Sequence, residues 1–167
     1  QALNATMRGV AKSLYNMFDD VEIIGFEDGY KGLMYADYQI MNHQISQGFS
    51  PRAVPFSELL ASLSSSCALL MRMDWIRWKA MKHTYKKLKL SCLVVLGGNG
   101  SQKTANMLSE EGLNVVSLPK TIDNDLWGTD MTFGFQSAVD VATNAIDCIH
   151  TTAASHGRVF IVEVMGT

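Results

Sequence analysis

The sequence predicts an α/β fold in which helices cover both faces of a mostly parallel sheet. Two observations support this fold class. Short apolar runs with the length of buried strands alternate along the chain with segments whose apolar residues recur at helical spacing. The two motifs richest in glycine and carboxylates each follow one of these strands, and ligands of such sheets bind at the carboxyl ends of strands. The pattern is typical of a Rossmann-like domain with three layers, α/β/α.

The first elements are a helix and a strand. Apolar residues recur at helical spacing through residues 3–17, and residues 21–25 have the pattern of a strand. Residues 81–88 form the basic end of a later helix. A buried strand is predicted directly after it, at residues 92–96.

The second part of the chain continues the alternation. A helix is predicted over residues 102–111 and is closed by Gly112. Strands are predicted at residues 114–118 and 159–164. Between these strands one face of a long helix carries Phe135, Ala138, Val139, Ala142, Ile146 and Ile149.

Composition excludes several classes of partner. The 167 residues have a net charge of only −2, which gives no reason to expect binding to nucleic acid or to a membrane surface. No apolar run reaches the length of a transmembrane helix. The three cysteines lack metal-binding spacing and are interpreted as reduced, buried thiols. We therefore expect a cytoplasmic protein.

One motif is a turn-rich stretch of polar residues after the strand at 114–118. Residues 118–130 read L-P-K-T-I-D-N-D-L-W-G-T-D and contain Lys120, Asp123, Asp125 and Asp130. So dense a set of charges is costly to arrange unless it binds something. These side chains can hold a metal ion and accept a proton.

The other motif lies about twenty residues upstream, where the strand at 92–96 leads into a glycine turn and a helix. Small residues let a ligand approach the backbone, and free N–H groups at a helix N-terminus favour an anion. Together the two motifs indicate phosphoryl transfer. The turn residues are Gly97, Gly98, Asn99, Gly100 and Ser101.

These motifs resemble those of the 6-phosphofructokinase family. The likeness includes P-K-T-I-D-N-D at 119–125, T-F-G-F at 132–135, S-H-G-R at 155–158 and E-V-M-G at 163–166, and it extends to residues 2–35. The resemblance implies transfer of a phosphoryl group from ATP to the 1-hydroxyl of fructose 6-phosphate, with Mg²⁺, in a homo-oligomer (dimer or tetramer).

The resemblance also implies an incomplete fold. Residues 1–130 correspond to part of the phosphate-donor domain, and residues 131–167 to the start of the sugar-phosphate-binding domain. The family's first strand and its Gly-Gly-Asp turn would precede Gln1. We expect the isolated polypeptide to be inactive.

The resemblance assigns roles in the acidic motif and beyond it. Asp123 is the base that takes the proton from the sugar hydroxyl, Asp125 supports the metal ion and the transition state, and Thr121 binds near the transferring phosphoryl group. Arg158 reaches the sugar phosphate, often that of a neighbouring subunit. Substrate is also contacted by a turn that contains Met165 and Gly166.

By the resemblance, the glycine turn binds the phosphate donor. One of its residues differs from the family, and another distinguishes users of ATP from users of pyrophosphate. Asn99 stands where the family usually has an aspartate on Mg²⁺; it offers a carbonyl oxygen but no charge, so we expect weaker metal binding there. Gly100 leaves room for the α-phosphate of a nucleotide, whereas pyrophosphate users tend to have aspartate. Lys120 occurs in pyrophosphate users and in many ATP users. We therefore favour ATP, with pyrophosphate as the alternative donor.

Residues 49–78 depart from the family's pattern. The family carries there a turn resembling G-G-T-x-L-G-T-S-R, which contacts the donor, whereas this chain has a serine cluster and two tryptophans. Reading possible codons of residues 49–68 one nucleotide earlier recovers a string compatible with that turn. We hypothesise two compensating frameshifts around the segment, with a divergent insertion as the alternative. Frameshifted apolar residues, Trp78 among them, would lack packing partners.

Two functions of other classes stay open. A non-catalytic regulatory homologue that binds phosphate ligands is favoured by Asn99. A lipid or nucleotide kinase with a Gly-Gly-Asp-Gly motif is disfavoured by the T-I-D-N-D and S-H-G-R motifs. Measured turnover of the intact protein would test for the regulatory homologue. A substrate screen would test for the lipid or nucleotide kinase.

Overall fold

The computed structural model describes the backbone of residues 2–41 and 71–165 and the side chains of residues 2–41 and 76–165. Helices and strands alternate through both stretches, which confirms the Rossmann-like α/β fold. The helices are α1 (Ala2–Met17), α2 (Tyr30–Tyr35), α3 (Met71–Lys87), α4 (Asn99–Glu110) and α5 (Phe135–His156). The strands are β1 (Ile23–Phe26), β2 (Tyr38–Met41), β3 (Leu93–Gly97), β4 (Val115–Thr121) and β5 (Phe133–Gly134).

Strands β3, β4 and β5 form a parallel sheet in that order. The register runs from Leu93 opposite Val115 to Gly97 opposite Pro119, and β5 pairs with the last two residues of β4. Parallel strands need a crossover connection, which α4 provides between β3 and β4. The register therefore brings the end of β3 beside the point where β4 enters the acidic motif.

Strand β1 does not join this sheet. It pairs antiparallel with β2, from Ile23 opposite Met41 to Phe26 opposite Tyr38. The expectation that the strands share one parallel sheet is therefore wrong for this strand. The connection between β1 and β2 runs over residues 27–37 and includes the short helix α2, whereas a parallel pairing usually needs about a dozen residues or more.

An apolar core lies between α2, α3, α4 and β3. Leu33 and Leu108 are its fully buried large side chains, and each stabilises the fold by about 1.5–3 kcal/mol. Partly buried aromatic residues, Phe26, Tyr30, Trp78 and Tyr85, pack against the cluster. The other buried members are Met81, Leu93, Val95, Ala105 and Leu113.

The predicted end of α4 at Gly112 is confirmed. Gly112 has a positive φ of 87°, which glycine adopts without strain. Its N–H donates to the Ser109 carbonyl, and the Leu113 N–H donates to the Leu108 carbonyl. This is a Schellman motif, and it returns the chain to the core before β4.

The C-terminal part of the described chain differs from expectation. Residues 158–165 form neither helix nor strand, so the strand predicted at 159–164 is wrong; no described strand hydrogen-bonds to this segment, and a strand exists only when it is paired. Helix α5 is confirmed, but none of its residues is buried. The thiols of Cys92 and Cys148 are free yet exposed rather than buried.

Most of the anomalous segment lies outside the described residues. Its last residue, Trp78, packs against the core. This contact differs from what the frameshift hypothesis predicts for Trp78. For the rest of the segment the frameshift stays a hypothesis.

Gly32 and Gly9 offer a test of the core. A Cβ on Gly32 would lie 2.0 Å from the Glu27 carbonyl oxygen and 2.8 Å from that of Asp37, whereas a Cβ on Gly9, exposed in α1, meets nothing within 4 Å. We expect Gly32→Ala to lower the free energy of unfolding of the full-length protein by about 1–3 kcal/mol or more, because backbone must move. Gly9→Ala should raise it by about 0.5–1 kcal/mol. Denaturant unfolding measures both, and equal effects would contradict the packing described.

Candidate active site

The glycine turn joins β3 directly to α4. Gly98 is the N-cap residue of α4, and the first helical hydrogen bond runs from the Gln102 N–H to the Gly98 carbonyl, 3.0 Å away. The preceding N–H groups, of Asn99, Gly100 and Ser101, have no partner within the helix. They and the helix dipole favour an anion here, as the sequence predicted.

Close packing fixes the shape of this turn. A Cβ on Gly97 would lie 2.4 Å from Ser101 Oγ, whereas one on Gly100 would meet nothing within 4 Å. Ser101 is buried, and the Tyr30 hydroxyl donates to its carbonyl oxygen at 2.8 Å. Burial raises the pKa of the Tyr30 phenol above its usual range, so Tyr30 stays a donor at neutral pH. The turn is closely packed at Gly97 and open at Gly100.

The acidic loop begins where β4 ends. The Thr121 hydroxyl donates to Asp123 Oδ2 at 3.2 Å, and the Asp123 backbone N–H lies 3.1 Å from Thr121 Oγ1. The Asp123 side chain is half-buried. Thr121 therefore fixes the orientation of the carboxylate that the sequence predicted as the base.

Hydrogen bonds of Asn124 and Thr132 connect the beginning of the acidic loop to its end. Asn124 has a positive φ of 54°, and its Oδ1 accepts the Thr132 N–H at 2.8 Å while its Nδ2 donates to the Asp130 carbonyl. The hydroxyl of Thr132, a buried residue, donates to the Thr121 carbonyl at 2.9 Å. These bonds link the start of the loop to its end, next to the sheet.

The turn and the loop meet at the sheet end. A Cβ on Gly98 would lie 3.8 Å from both the Lys120 carbonyl oxygen and Thr121 Cβ. The Gln102 side chain donates to the carbonyls of Gly97, at 2.9 Å, and Leu118, at 3.0 Å. Two motifs separated in sequence thus lie side by side at this edge of the sheet.

The remaining predicted residues of the two motifs lie around this surface. Lys120 is half-buried near the end of β4, while Asn99 and Asp125 are exposed. Where side chains are described, no group of three or more His, Cys, Asp and Glu residues could hold a metal ion.

Of the three predicted sugar-phosphate residues, the structure describes Arg158 and Met165. Arg158 follows α5 as an exposed residue; in the described parts of the chain, no hydrogen bond or ion pair links its guanidinium to the turn or the loop. Met165 is 84% exposed. Gly166 lies outside the described residues.

Four residues of the site were missed by sequence reasoning: Tyr30, Gln102, Asn124 and Thr132. The role of Asn124 could have been predicted from the sequence, because asparagine is among the residues that tolerate a positive φ. The contacts of Tyr30 and Gln102 are made to backbone atoms of other elements, so no local pattern contains them.

Substitutions of Asn124 separate its backbone role from its side-chain role. Asn124→Ala removes the bond to Thr132 and places alanine at positive φ, so we expect a loss of about 2–3 kcal/mol in the free energy of unfolding of the full-length protein. Asn124→Gly loses the same bond without the backbone strain, so we expect it to lower the free energy of unfolding by about 1 kcal/mol less than alanine does. Denaturant unfolding compares the two, and an alanine variant as stable as wild type would contradict the loop geometry.

The sequence is similar to one protein family and to several curated proteins. The phosphofructokinase family model matches residues 1–167. Among similar curated proteins, the ATP-dependent 6-phosphofructokinase of Spirochaeta thermophila is 45% identical over 173 aligned residues, with 98% of this chain and 45% of the relative covered. ATP-dependent 6-phosphofructokinase 3 of Bacteroides thetaiotaomicron is 39% identical, with 98% and 48% covered.

A third relative, the ATP-dependent 6-phosphofructokinase of Propionibacterium freudenreichii, is 40% identical, with 98% of this chain and 43% of the relative covered. The chain thus spans about half the length of the curated relatives it matches. No helix among the described residues is long and apolar enough to cross a membrane. The identity and the coverage show that this chain belongs to the phosphofructokinase family.

Proposed function

We propose that the full-length protein is an ATP-dependent 6-phosphofructokinase, which transfers a phosphoryl group from ATP to the 1-hydroxyl of fructose 6-phosphate. One observation carries the proposal: the glycine turn and the acidic loop meet at the carboxyl ends of β3 and β4, with Gly98 against Thr121. In-line transfer needs a donor phosphate and a proton acceptor at such a junction. The relatives' names supply the identity of the reaction.

Asp123 acts as the general base in this proposal. Its carboxylate is held by Thr121, so it faces an incoming hydroxyl with little reorganisation. It accepts the hydroxyl proton as the sugar oxygen bonds to the γ-phosphorus and the bond from that phosphorus to the bridging oxygen of ADP breaks. Thr121 also lies near the transferring group, at the edge of the turn.

The donor phosphates bind at Gly97–Ser101. The backbone N–H groups at the start of α4 face the phosphate oxygens, and Lys120 adds positive charge from β4. An exposed carboxylate at Asp125 fits Mg²⁺, which in phosphoryl-transfer sites takes one or two carboxylates and completes its shell with phosphate oxygens and water. Asn99 can add a neutral amide oxygen. Bound Mg²⁺ would neutralise charge that develops on the phosphates.

The choice of ATP over pyrophosphate is supported by Gly100. The space where its Cβ would stand is open, which leaves room for the α-phosphate that only a nucleotide has. The relatives are named as ATP-dependent. Lys120 does not discriminate between the donors.

The sugar-phosphate side of the proposed enzyme involves the segment after α5. We assign Arg158, Met165 and Gly166 to fructose 6-phosphate, and residues 131–167 to the start of the domain that binds it, with residues 1–130 in the donor domain. We further propose a cytoplasmic homo-oligomer, a dimer or tetramer, in which Arg158 reaches the phosphate of a neighbouring subunit's substrate. The resemblance described above supports these assignments.

A second candidate is a regulatory homologue that binds phosphate ligands without turnover. Asn99 favours it, because an amide binds a hard cation less tightly than a carboxylate does. A coupled assay of the full-length protein with ATP, Mg²⁺ and fructose 6-phosphate separates the two. The proposed enzyme forms fructose 1,6-bisphosphate, and a regulatory homologue binds ATP but forms none.

The role of Asp123 can be tested by replacing its carboxylate with an amide of similar shape. In the full-length protein, Asp123→Asn should leave fructose 6-phosphate binding roughly intact and lower kcat by about 10²–10⁴-fold, the range for a lost general base. The matched control is Asp20→Asn, an exposed carboxylate outside the loop, which should retain wild-type kcat. An unchanged kcat in Asp123→Asn would overturn the assignment.

The donor hypothesis is tested at Gly100. Gly100→Asp should raise the KM for ATP more than the KM for pyrophosphate, because the carboxylate would occupy the space of the α-phosphate and repel it. Gly100→Ala controls for size without charge, and the open surroundings allow both variants to fold. If the ratio of activities with the two donors does not change, Gly100 does not select the donor.

A further inference from the structure

The Gln102 amide joins the two halves of the site. Its Nε2 lies 2.9 Å from the Gly97 carbonyl oxygen and 3.0 Å from the Leu118 carbonyl oxygen. An amide NH₂ has two donor hydrogens, so one side chain satisfies both carbonyls. The amide therefore ties the last residue of β3 to Leu118, the residue of β4 at which the acidic motif begins.

This tie lies where the sheet ladder ends. Gly97 stands opposite Pro119 in the register, and a proline has no N–H to add to the ladder. Beyond these residues the two chains separate, because Gly97 leads into the glycine turn while β4 leads through Lys120 into the acidic loop. Gln102 belongs to α4, the same helix whose first turn would hold the phosphates, so it links that helix directly to β4.

We propose that Gln102 is a positioning residue that sets the distance between the donor phosphates and the Asp123 carboxylate. This inference rests on the proposed function. Gln102 is half-buried, and its amide hydrogens are directed to backbone rather than to a ligand, so it does not act on the reacting atoms. It acts through Gly97, which begins the turn, and through Leu118, which precedes Thr121 by three residues.

A change of spacing affects the reaction more than it affects binding. Each substrate keeps its own contacts when the turn and the loop shift slightly apart, so its affinity changes little. The in-line geometry between hydroxyl and phosphorus is lost, however, and a misplacement of about 1 Å can slow a reaction by about 10²-fold. Loss of the Gln102 amide should therefore lower kcat and leave both KM values nearly unchanged.

Two variants of similar length separate this role from simple packing. Gln102→Met keeps the length and volume of the side chain but removes both donors. Gln102→Glu keeps the shape but places a carboxylate against two carbonyl oxygens, which repel it. If Gln102 acts as a donor, the order of kcat is wild type, then methionine, then glutamate; if it only fills space, methionine equals wild type.

The experiment uses the full-length protein with ATP, Mg²⁺ and fructose 6-phosphate. We expect Gln102→Met to lower kcat by about 10–100-fold with both KM values within about threefold of wild type, and Gln102→Glu to lower it further. The control is Asn106→Met, which changes an exposed amide on the same helix. Among the described residues this amide bonds to Glu110 and to no group of the turn or the loop, so the kcat of this variant should equal that of wild type. A kcat within about twofold of wild type in Gln102→Met overturns the proposal, as does a rise in KM without a fall in kcat.

Amide hydrogen exchange tests the tie without turnover. In Gln102→Met, peptides covering residues 97–101 and 117–124 should exchange about tenfold faster than in Asn106→Met, and equal exchange overturns the proposal. Failure of the proposed function can be distinguished from failure of the inference about Gln102. A wild-type protein that forms no fructose 1,6-bisphosphate contradicts the proposed function, while exchange still tests whether Gln102 holds the turn to the loop.

Discussion

The parallel pairing of β3 with β4 is the constraint on which the site depends. Because the two strands run in the same direction and end in register, the glycine turn and the acidic loop emerge at one edge of the sheet. An antiparallel pairing would send the two motifs to opposite ends. The crossover helix α4 makes the parallel pairing possible, and its first turn supplies the amide N–H groups that favour phosphate.

Small residues and side-chain bonds to backbone then set the shape of the site at this edge. Gly97 leaves room for the Ser101 side chain, and Gly98 lies close to Lys120 and Thr121. Tyr30 holds the Ser101 carbonyl from the neighbouring helix. Asn124 and Thr132 hold the acidic loop in a similar way, so each half of the site is fixed by contacts that a bound ligand does not need to supply.

The sequence predicted the elements around the site well because their signals are local. The apolar run of β3, the glycine after it and the Gly112 cap of α4 each depend on a few neighbouring residues, and each is found within a few positions of its prediction. The acidic motif was found for the same reason, since its residues are consecutive. Asn124 could have been added, because a positive φ favours asparagine.

Features that depend on distant partners were not predictable in this way. Strand β1 has the apolar pattern of a strand, but that pattern does not contain its antiparallel partner β2. The apolar run after Arg158 reads as a strand, yet no described strand pairs with it. In the sequence Gln102 has the pattern of an ordinary helix residue. Its bonds to two carbonyls depend on the register of β3 and β4, which the sequence around it does not contain.

The central claim is that the glycine turn and the acidic loop form one phosphoryl-transfer site. The most direct measurement is a crystal structure of the full-length protein with a non-hydrolysable ATP analogue, Mg²⁺ and fructose 6-phosphate. We predict the analogue's phosphates against the N–H groups of Gly98–Ser101 and the sugar 1-hydroxyl about 2.6–3.2 Å from an Asp123 carboxylate oxygen. Phosphates bound away from this turn, or a 1-hydroxyl out of reach of Asp123, would contradict the account.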